Sequence, residues 1–366
     1  MSQLNAHAEP GAGRPQMGAK PRVLTPRSVA ILVIVLVVAG LWLHFAHIRF
    51  DWASLGGQLR SVSPANLLIA IGVIYGGYVL RAWRWAVLLG PIHRTRVLPM
   101  LGPQLIGFAL VGLFGRVADL ARPYLIARRT GTTVASQLAI YSIERAFDLA
   151  SAAILFSVTL AFAPKNMPHH EAFARAGMVS LAATVFLAAF ALALRLAAGR
   201  VAALAERVLR PMSTKLARAV AGHILSFSQG LRVLSSFGEF VLALALSLAM
   251  WLGIAVAYLE TAHSFHASPQ LAGLSFAATM LMMATSMGGS ILQLPIVGWF
   301  TQIALLAAAF HGFFGVPLET ATACGALLLF VLNLAVIPLG LIAARVEGIS
   351  LLEAAKVPAG DAVVSS

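Results

Sequence analysis

Long apolar runs alternate with short polar breaks along nearly the whole chain. The runs at 28–46, 66–89, 133–163, 176–197, 239–260, 271–287, 299–315 and 320–343 each have the length of a membrane helix. The pattern predicts an all-α polytopic membrane protein with about eight transmembrane helices. Two further stretches are apolar but interrupted. One spans 98–115 and carries Pro99, Gly102, Pro103, Gly107, Gly112 and Gly115. The other runs from about 285 to 302 and contains Gly288, Gly289, Pro295 and Gly298. Interrupted backbone at membrane depth is tolerated only where protein or a wet cavity covers it. Both stretches therefore read as re-entrant or broken helices. They lie in corresponding halves of the chain, the arrangement that points to a binding site between inverted repeats. No residue-by-residue match links the halves, so the repeat rests on the paired breaks alone.

Composition agrees with this reading. The chain is 60% hydrophobic and 11% charged, with a mean hydropathy of +0.88, whereas soluble domains carry about 25% charged residues. The net charge is +13. No soluble basic domain exists to hold a nucleic acid, so the excess reads as loops facing anionic lipid. Residues 1–27 read as a disordered basic cytoplasmic tail, 28–345 as the transmembrane domain and 346–366 as a cytoplasmic C-terminal tail. The first run is too long for a signal-peptide core and reads as an anchor.

Charge also decides how 98–115 is threaded. If that stretch crossed fully, Arg116, Arg122, Arg128 and Arg129 would lie outside, and every later loop would invert. If it enters and returns, the basic loops all lie inside, and only Arg49, Arg60, Lys165 and Arg175 remain in outside loops. Both termini are then cytoplasmic. Residues 47–64 read as an outside loop, and 199–222 as an amphipathic helix on the inner surface.

The chemistry concentrates between Phe114 and Asp148, where Arg116, Asp119, Arg122, Glu144, Arg145 and Asp148 fall within an otherwise apolar region. Ionisable groups at membrane depth need a partner, a wet cavity or a ligand. Arg81 and Arg84, three apart on one helix face, precede them, with Trp83 and Trp85 on either side of Arg84. That group reads either as an interfacial belt that snorkels to the lipid surface or as a docking point for a lipid phosphate. Asp119 with Arg122, and Arg145 with Asp148, have the spacing of self-contained ion pairs. A lone Cys324 excludes an intramolecular disulfide. His169, His170, His263 and His266 lack an accompanying carboxylate cluster, so neither a metal nor another cofactor is expected. No nucleophile-and-base set is visible. Asp119 with Glu144 is the only pair an enzyme would use.

Four segments together resemble one known family. Arg81-Ala82-Trp83-Arg84-Trp85 is similar to its Leu-Arg-x-x-Arg-Trp motif. Phe114 to Arg122 is similar to its Pro-Gly-Arg-x-Gly-Asp/Glu-x-x-Arg loop, and Ile143 to Asp148 to its Glu-Arg-x-x-Asp segment. Ser290 to Gln302 resembles its later Pro-x-x-Gly-x-x-Glu/Gln segment. This is the lysylphosphatidylglycerol synthase transmembrane region family, also called flippase-like domain proteins. The resemblance covers roughly 25–350 and lacks a soluble synthase domain. It implies a multi-pass protein of the bacterial cytoplasmic membrane that moves a lipid or lipid-linked headgroup. Its partners would be anionic phospholipids or polyprenyl-linked lipids. The alternatives are an accessory scaffold for a lipid-biosynthetic enzyme, and a membrane enzyme acting on a lipid phosphate. Arg81, Arg84, Arg116, Asp119, Arg122, Glu144, Arg145, Asp148 and Gln302 are the expected substrate-binding residues. Phe114 and Ala118 stand where the family has proline and glycine, and Gln302 stands where many members have glutamate.

Overall fold

A computed structural model describes residues 51–162, 165, 170–211, 213, 214, 218, 220–222, 236–289 and 297–350. Among these residues every regular element is a helix. The expected first span at 28–46 and both terminal tails lie outside them, as do most of 223–238 and the second break at 290–296.

The segment at 47–64 is not simply a loop. Helix α1 (Trp52–Arg60) forms there because the Asp51 carboxylate accepts from the amides of Ala53 and Ser54 and caps its start. Helix α2 (Pro64–Leu89) begins with Ser63 as cap and proline in its first turn. Helix α3 (Val97–Phe114) leads through a 3-10 turn (Arg116–Leu120) into α4 (Ala121–Thr130). Helices α5 (Val134–Ala161) and α6 (His170–Leu209) follow, and α6 bends at the non-helical Ala197. That bend falls where the sequence separates a span from a surface helix. Helix α7 (Phe237–His263) runs antiparallel to α2. Ser63 donates its amide to the Ser264 carbonyl at one end, and Arg84 reaches Ser247 toward the other. After the short α8 (Pro269–Ala272) come α9 (Phe276–Gly289), α10 (Val297–Phe314), α11 (Leu318–Leu329) and α12 (Val336–Glu347).

Segments 64–89, 97–114, 237–263 and 318–347 are long and apolar enough to cross a membrane, with shorter apolar helices at 174–186, 276–287 and 298–314. The protein is thus an all-α, multi-pass membrane protein. The last span, which the sequence predicts as one helix over 320–343, contains a π turn at Phe330–Leu334 between α11 and α12. Such turns cluster at functional sites, and Leu332 and Asn333 of this one face the central cavity.

The two interrupted stretches build the middle of the molecule. Along α3 and α4, Met100 packs in one cluster with Ile126, and Ile106 and Leu110 pack with Ala118, Ala121 and Leu125. The arms therefore run antiparallel as a hairpin. Its base lies beside Leu88 and Leu89, where α2 ends. At its tip Gly115 adopts φ 76°, ψ −172°, a conformation open essentially to glycine alone. The α9–α10 pair is a second hairpin. Its base lies at the other end of α2, since Leu271, Leu274, Phe310 and Val316 share a cluster with Val62. The described arms of the two hairpins enter from opposite ends of the bundle and reach one cavity, the geometry an inverted repeat produces.

Candidate functional site

A cavity of about 500 Å³ lies between the first hairpin and the arms of the second. Gly77, Tyr78 and Arg81 of α2 form one wall, and Met250, Trp251, Ile254 and Tyr258 of α7 another. The first hairpin contributes Phe108, Val111, Arg116 and Asp119; the second contributes Met283, Ser286, Met287 and Gln302. Tyr141, Arg145 and Asp148 of α5 close one side. The volume suits a lipid headgroup or another small ligand.

Behind the charged side of this cavity lies a buried ion network. Arg84 is fully buried and donates to Glu144 at 2.7 Å, to Asp148 at 2.6 Å and to the Ser247 hydroxyl at 2.6 Å. Ser247 in turn donates its hydroxyl to the Ala243 carbonyl. Arg122, also fully buried, donates to Asp119 at 2.8 Å, to the Gln104 side chain at 3.2 Å and to Glu144 at 3.3 Å. Arg145 reaches Glu144 and Asp148, both at 3.1 Å. Glu144 is thus shared by three guanidinium groups. Tyr141 donates to the second oxygen of Asp119 at 2.7 Å. Aromatic faces cover what the carboxylates leave open: Arg122 sits 4.4 Å from the Phe108 ring centre and 5.4 Å from that of Tyr141. A buried network like this fixes positions more than it adds net stability, because desolvation offsets most of the attraction.

The charged side chains divide into two groups. Arg84, Arg122 and Glu144 form the frame and do not line the cavity. Arg81, Arg116, Asp119, Arg145 and Asp148 do line it. Both oxygens of each of the three carboxylates already accept from side chains. Arg81, half-buried and 4.8 Å from the Phe108 ring centre, has no carboxylate within salt-bridge distance among the described residues. Counting Arg81, Arg84, Arg116, Arg122 and Arg145 against Asp119, Glu144 and Asp148 gives five cations and three anions, a surplus of two positive charges around the cavity.

The snorkelling belt does not describe the Arg81–Trp85 segment. Trp85 is fully buried and donates its indole N–H to Gln137 at 2.9 Å, and Arg84 points inward to α5. Only Trp83, 42% exposed, keeps a lipid-facing place. Helix geometry explains the split: three positions at about 100° each leave Arg81 and Arg84 about 60° apart around the axis, so they share a face but not a direction. Of the expected site residues, Gln302 is the one far from the ion network. It sits 4% exposed at the opposite pole of the cavity, donating to the Ser286 hydroxyl at 3.0 Å. Gln104, Phe108, Ser247, Trp251, Tyr258, Ser286 and Asn333 also belong to the site and were not singled out from sequence. The only signal they gave was polarity within an apolar run, at Gln104, Ser247 and Asn333. Among the described residues no cluster of three metal-ligating side chains exists.

No curated protein matches the chain closely enough to serve as a relative. The sequence profile described as Lysylphosphatidylglycerol synthase TM region matches residues 28–342. That match takes in both hairpins, the ion network and the cavity between them, and the chain belongs to this family of membrane proteins of lipid metabolism or transport.

Proposed function

We propose that the protein carries the anionic headgroup of a lipid, a phospholipid or a polyprenyl-phosphate lipid, across the bilayer through the cavity between the two hairpins. The observation that carries this reading is the charge balance. Every carboxylate around the cavity is already engaged, while Arg81 faces it without one. Arginine matches phosphate oxygens with paired donors. Arg81, Arg116 and Arg145 receive the phosphate, and Arg84, Arg122 and Glu144 hold them in place. The acyl or prenyl chains stay in the apolar phase while the headgroup crosses, which avoids exposing them to water.

The same reading orients the protein in a bacterial cytoplasmic membrane. Arg94, Arg96, Arg128, Arg129 and Arg345 gather at the end of the bundle where α2 finishes, and positive loops face the cytoplasm. Both termini then lie inside.

The test is a headgroup-accessibility assay in liposomes holding purified protein and a panel of labelled anionic lipids. Wild type is expected to speed transbilayer exchange, and Arg81→Gln to abolish it while leaving the unfolding temperature unchanged. Equal rates for wild type, Arg81→Gln and empty liposomes across the panel would overturn the transport reading and favour a scaffold for a lipid-biosynthetic enzyme.

A further inference from the structure

The two poles of the cavity differ in chemistry. One is the arginine-rich pole already described. The other is built from Trp251, Tyr258, Ser286, Gln302 and Asn333. From Thr261 to Leu318 the chain has no Asp, Glu, Lys or Arg at all, so the second hairpin brings only neutral groups to the cavity. Those groups are nevertheless polar and buried: Tyr258, Ser286 and Gln302 are each 4% exposed or less. Tyr258 is within hydrogen-bonding reach of Ser286, which accepts from Gln302. The Trp251 indole N–H, a donor only, is buried at the cavity wall without a partner among the described residues.

Spacing along α7 sets the scale. Tyr258 lies roughly 16 Å along the helix from Ser247, the residue that meets Arg84, and Trp251 roughly 6 Å from it. The neutral pole therefore begins beside the guanidinium groups and extends well beyond them. A bare phosphate would occupy one pole only. A cationic headgroup would find no carboxylate at the other.

Building on the transport reading above, we infer that the neutral pole recognises a hydroxyl-bearing group attached to the lipid phosphate, so that the ligand class is a phosphate-linked polyol. Hydroxyls both donate and accept, which matches the mixed hydroxyl and amide lining. The flat faces of Trp251 and Tyr258 suit the apolar faces of a ring polyol. The unpartnered indole N–H gains an acceptor, and a buried donor without one is costly.

Equilibrium binding of three short-chain lipids to the detergent-purified full chain tests this. The probes are phosphatidylinositol, phosphatidic acid and phosphatidylethanolamine. Phosphatidic acid has the more negative phosphate, so charge alone would place it first. The expected order has phosphatidylinositol tightest, by about tenfold over phosphatidic acid. Gln302→Leu is expected to erase that preference, bringing phosphatidylinositol down about tenfold to the level of phosphatidic acid. Trp251→Phe, which keeps an aromatic face and removes the N–H, is expected to reduce it severalfold and covers the case in which Gln302→Leu fails to fold. Arg81→Gln is expected to weaken both anionic probes alike. Equal affinity for the two anionic lipids, or a preference that survives both pole variants, overturns the polyol assignment while the Arg81 dependence keeps the anion site. A preference for phosphatidylethanolamine overturns it too. Failure of wild type to bind either anionic lipid, or binding indifferent to Arg81→Gln, overturns the transport reading as well.

Discussion

The two hairpins share a shape and differ in chemistry. The first, 97–130, carries Arg116, Asp119, Arg122, Arg128 and Arg129; the second, 276–314, carries no Asp, Glu, Lys or Arg. Each enters the bundle from its own end and brings residues to the same cavity. A shared scaffold of this kind needs only backbone pattern, meaning apolar arms and a break. The side chains that the hairpins bring to the cavity are then free to diverge. The difference indicates that the first hairpin holds a permanent ion frame, whereas the arms of the second rely on hydrogen bonds and close packing.

The frame is where a single change is expected to cost most. Glu144 meets Arg84, Arg122 and Arg145 with no exposure to solvent. Glu144→Gln keeps the size and removes the charge, leaving three guanidinium groups short of one carboxylate. Losing one partner of a buried ion pair costs about 3–5 kcal/mol. Gln302→Leu, the corresponding change at the neutral pole, breaks one bond to Ser286 and is expected to cost about 1 kcal/mol. Denaturant unfolding in detergent measures both. Equal losses would mean that the ion network does not distinguish the two hairpins energetically.

A middle-sized effect comes from how closely each hairpin docks. A methyl group added at Gly340 on α12 would collide with the Ala109 side chain and come within 2.7 Å of the Leu105 carbonyl, both on α3. Neither obstacle is a flexible side-chain end, so α3 and α12 must separate. Gly340→Ala is expected to cost about 1–3 kcal/mol. At Gly325 on α11, the added methyl would meet the Ile303 carbonyl at 3.2 Å and the Leu306 side chain at 3.4 Å, both on α10. A shift of a few tenths of an ångström relieves that. Gly325→Ala is expected to cost under about 1 kcal/mol, part of it returned by the better helix propensity of alanine. A Gly325→Ala loss as large as that at Gly340 would show the second hairpin to be docked as rigidly as the first.

Much of this was legible before any coordinates. Local sequence carries the apolar runs within the described residues, the first break and the short-range pairs Asp119–Arg122 and Arg145–Asp148, which the fold places at 2.8 and 3.1 Å. The positive-inside bias was enough to expect 98–123 to double back. What local sequence does not carry is the sharing of Glu144. Its partner Arg84 lies 60 residues away, and the Ser247 that completes the Arg84 cage lies 163 away. Arg81 and Arg84 looked equivalent because helix periodicity gives a face but not what stands opposite it. Phe108 faces one and α5 carboxylates face the other. The helix at Trp52–Arg60 was missed because its two glycines, Gly56 and Gly57, weaken the helical pattern. The Asp51 cap and the packing of α1 on α11 outweigh that.

The smallest effect expected lies at the base of the first hairpin. Arg129 at the end of α4 meets Glu347 at the end of α12 at 2.7 Å, with the arginine 40% and the glutamate 15% exposed. The second hairpin cannot have a counterpart, since its helices carry no such charges. An ion pair this open to solvent is worth at most about 1 kcal/mol, and salt screens it. Arg129→Gln is therefore expected to lower stability by well under 1 kcal/mol at low salt and by less as salt is raised. Unfolding of wild type and variant at about 0.05 M and 0.5 M salt measures this. A loss of several kcal/mol that persists at high salt would mean that the pair is buried from solvent in the membrane and belongs with Glu144 in the frame. The charged hairpin would then be held by ions along its whole length, and the contrast with its neutral counterpart would extend from the tips to the bases.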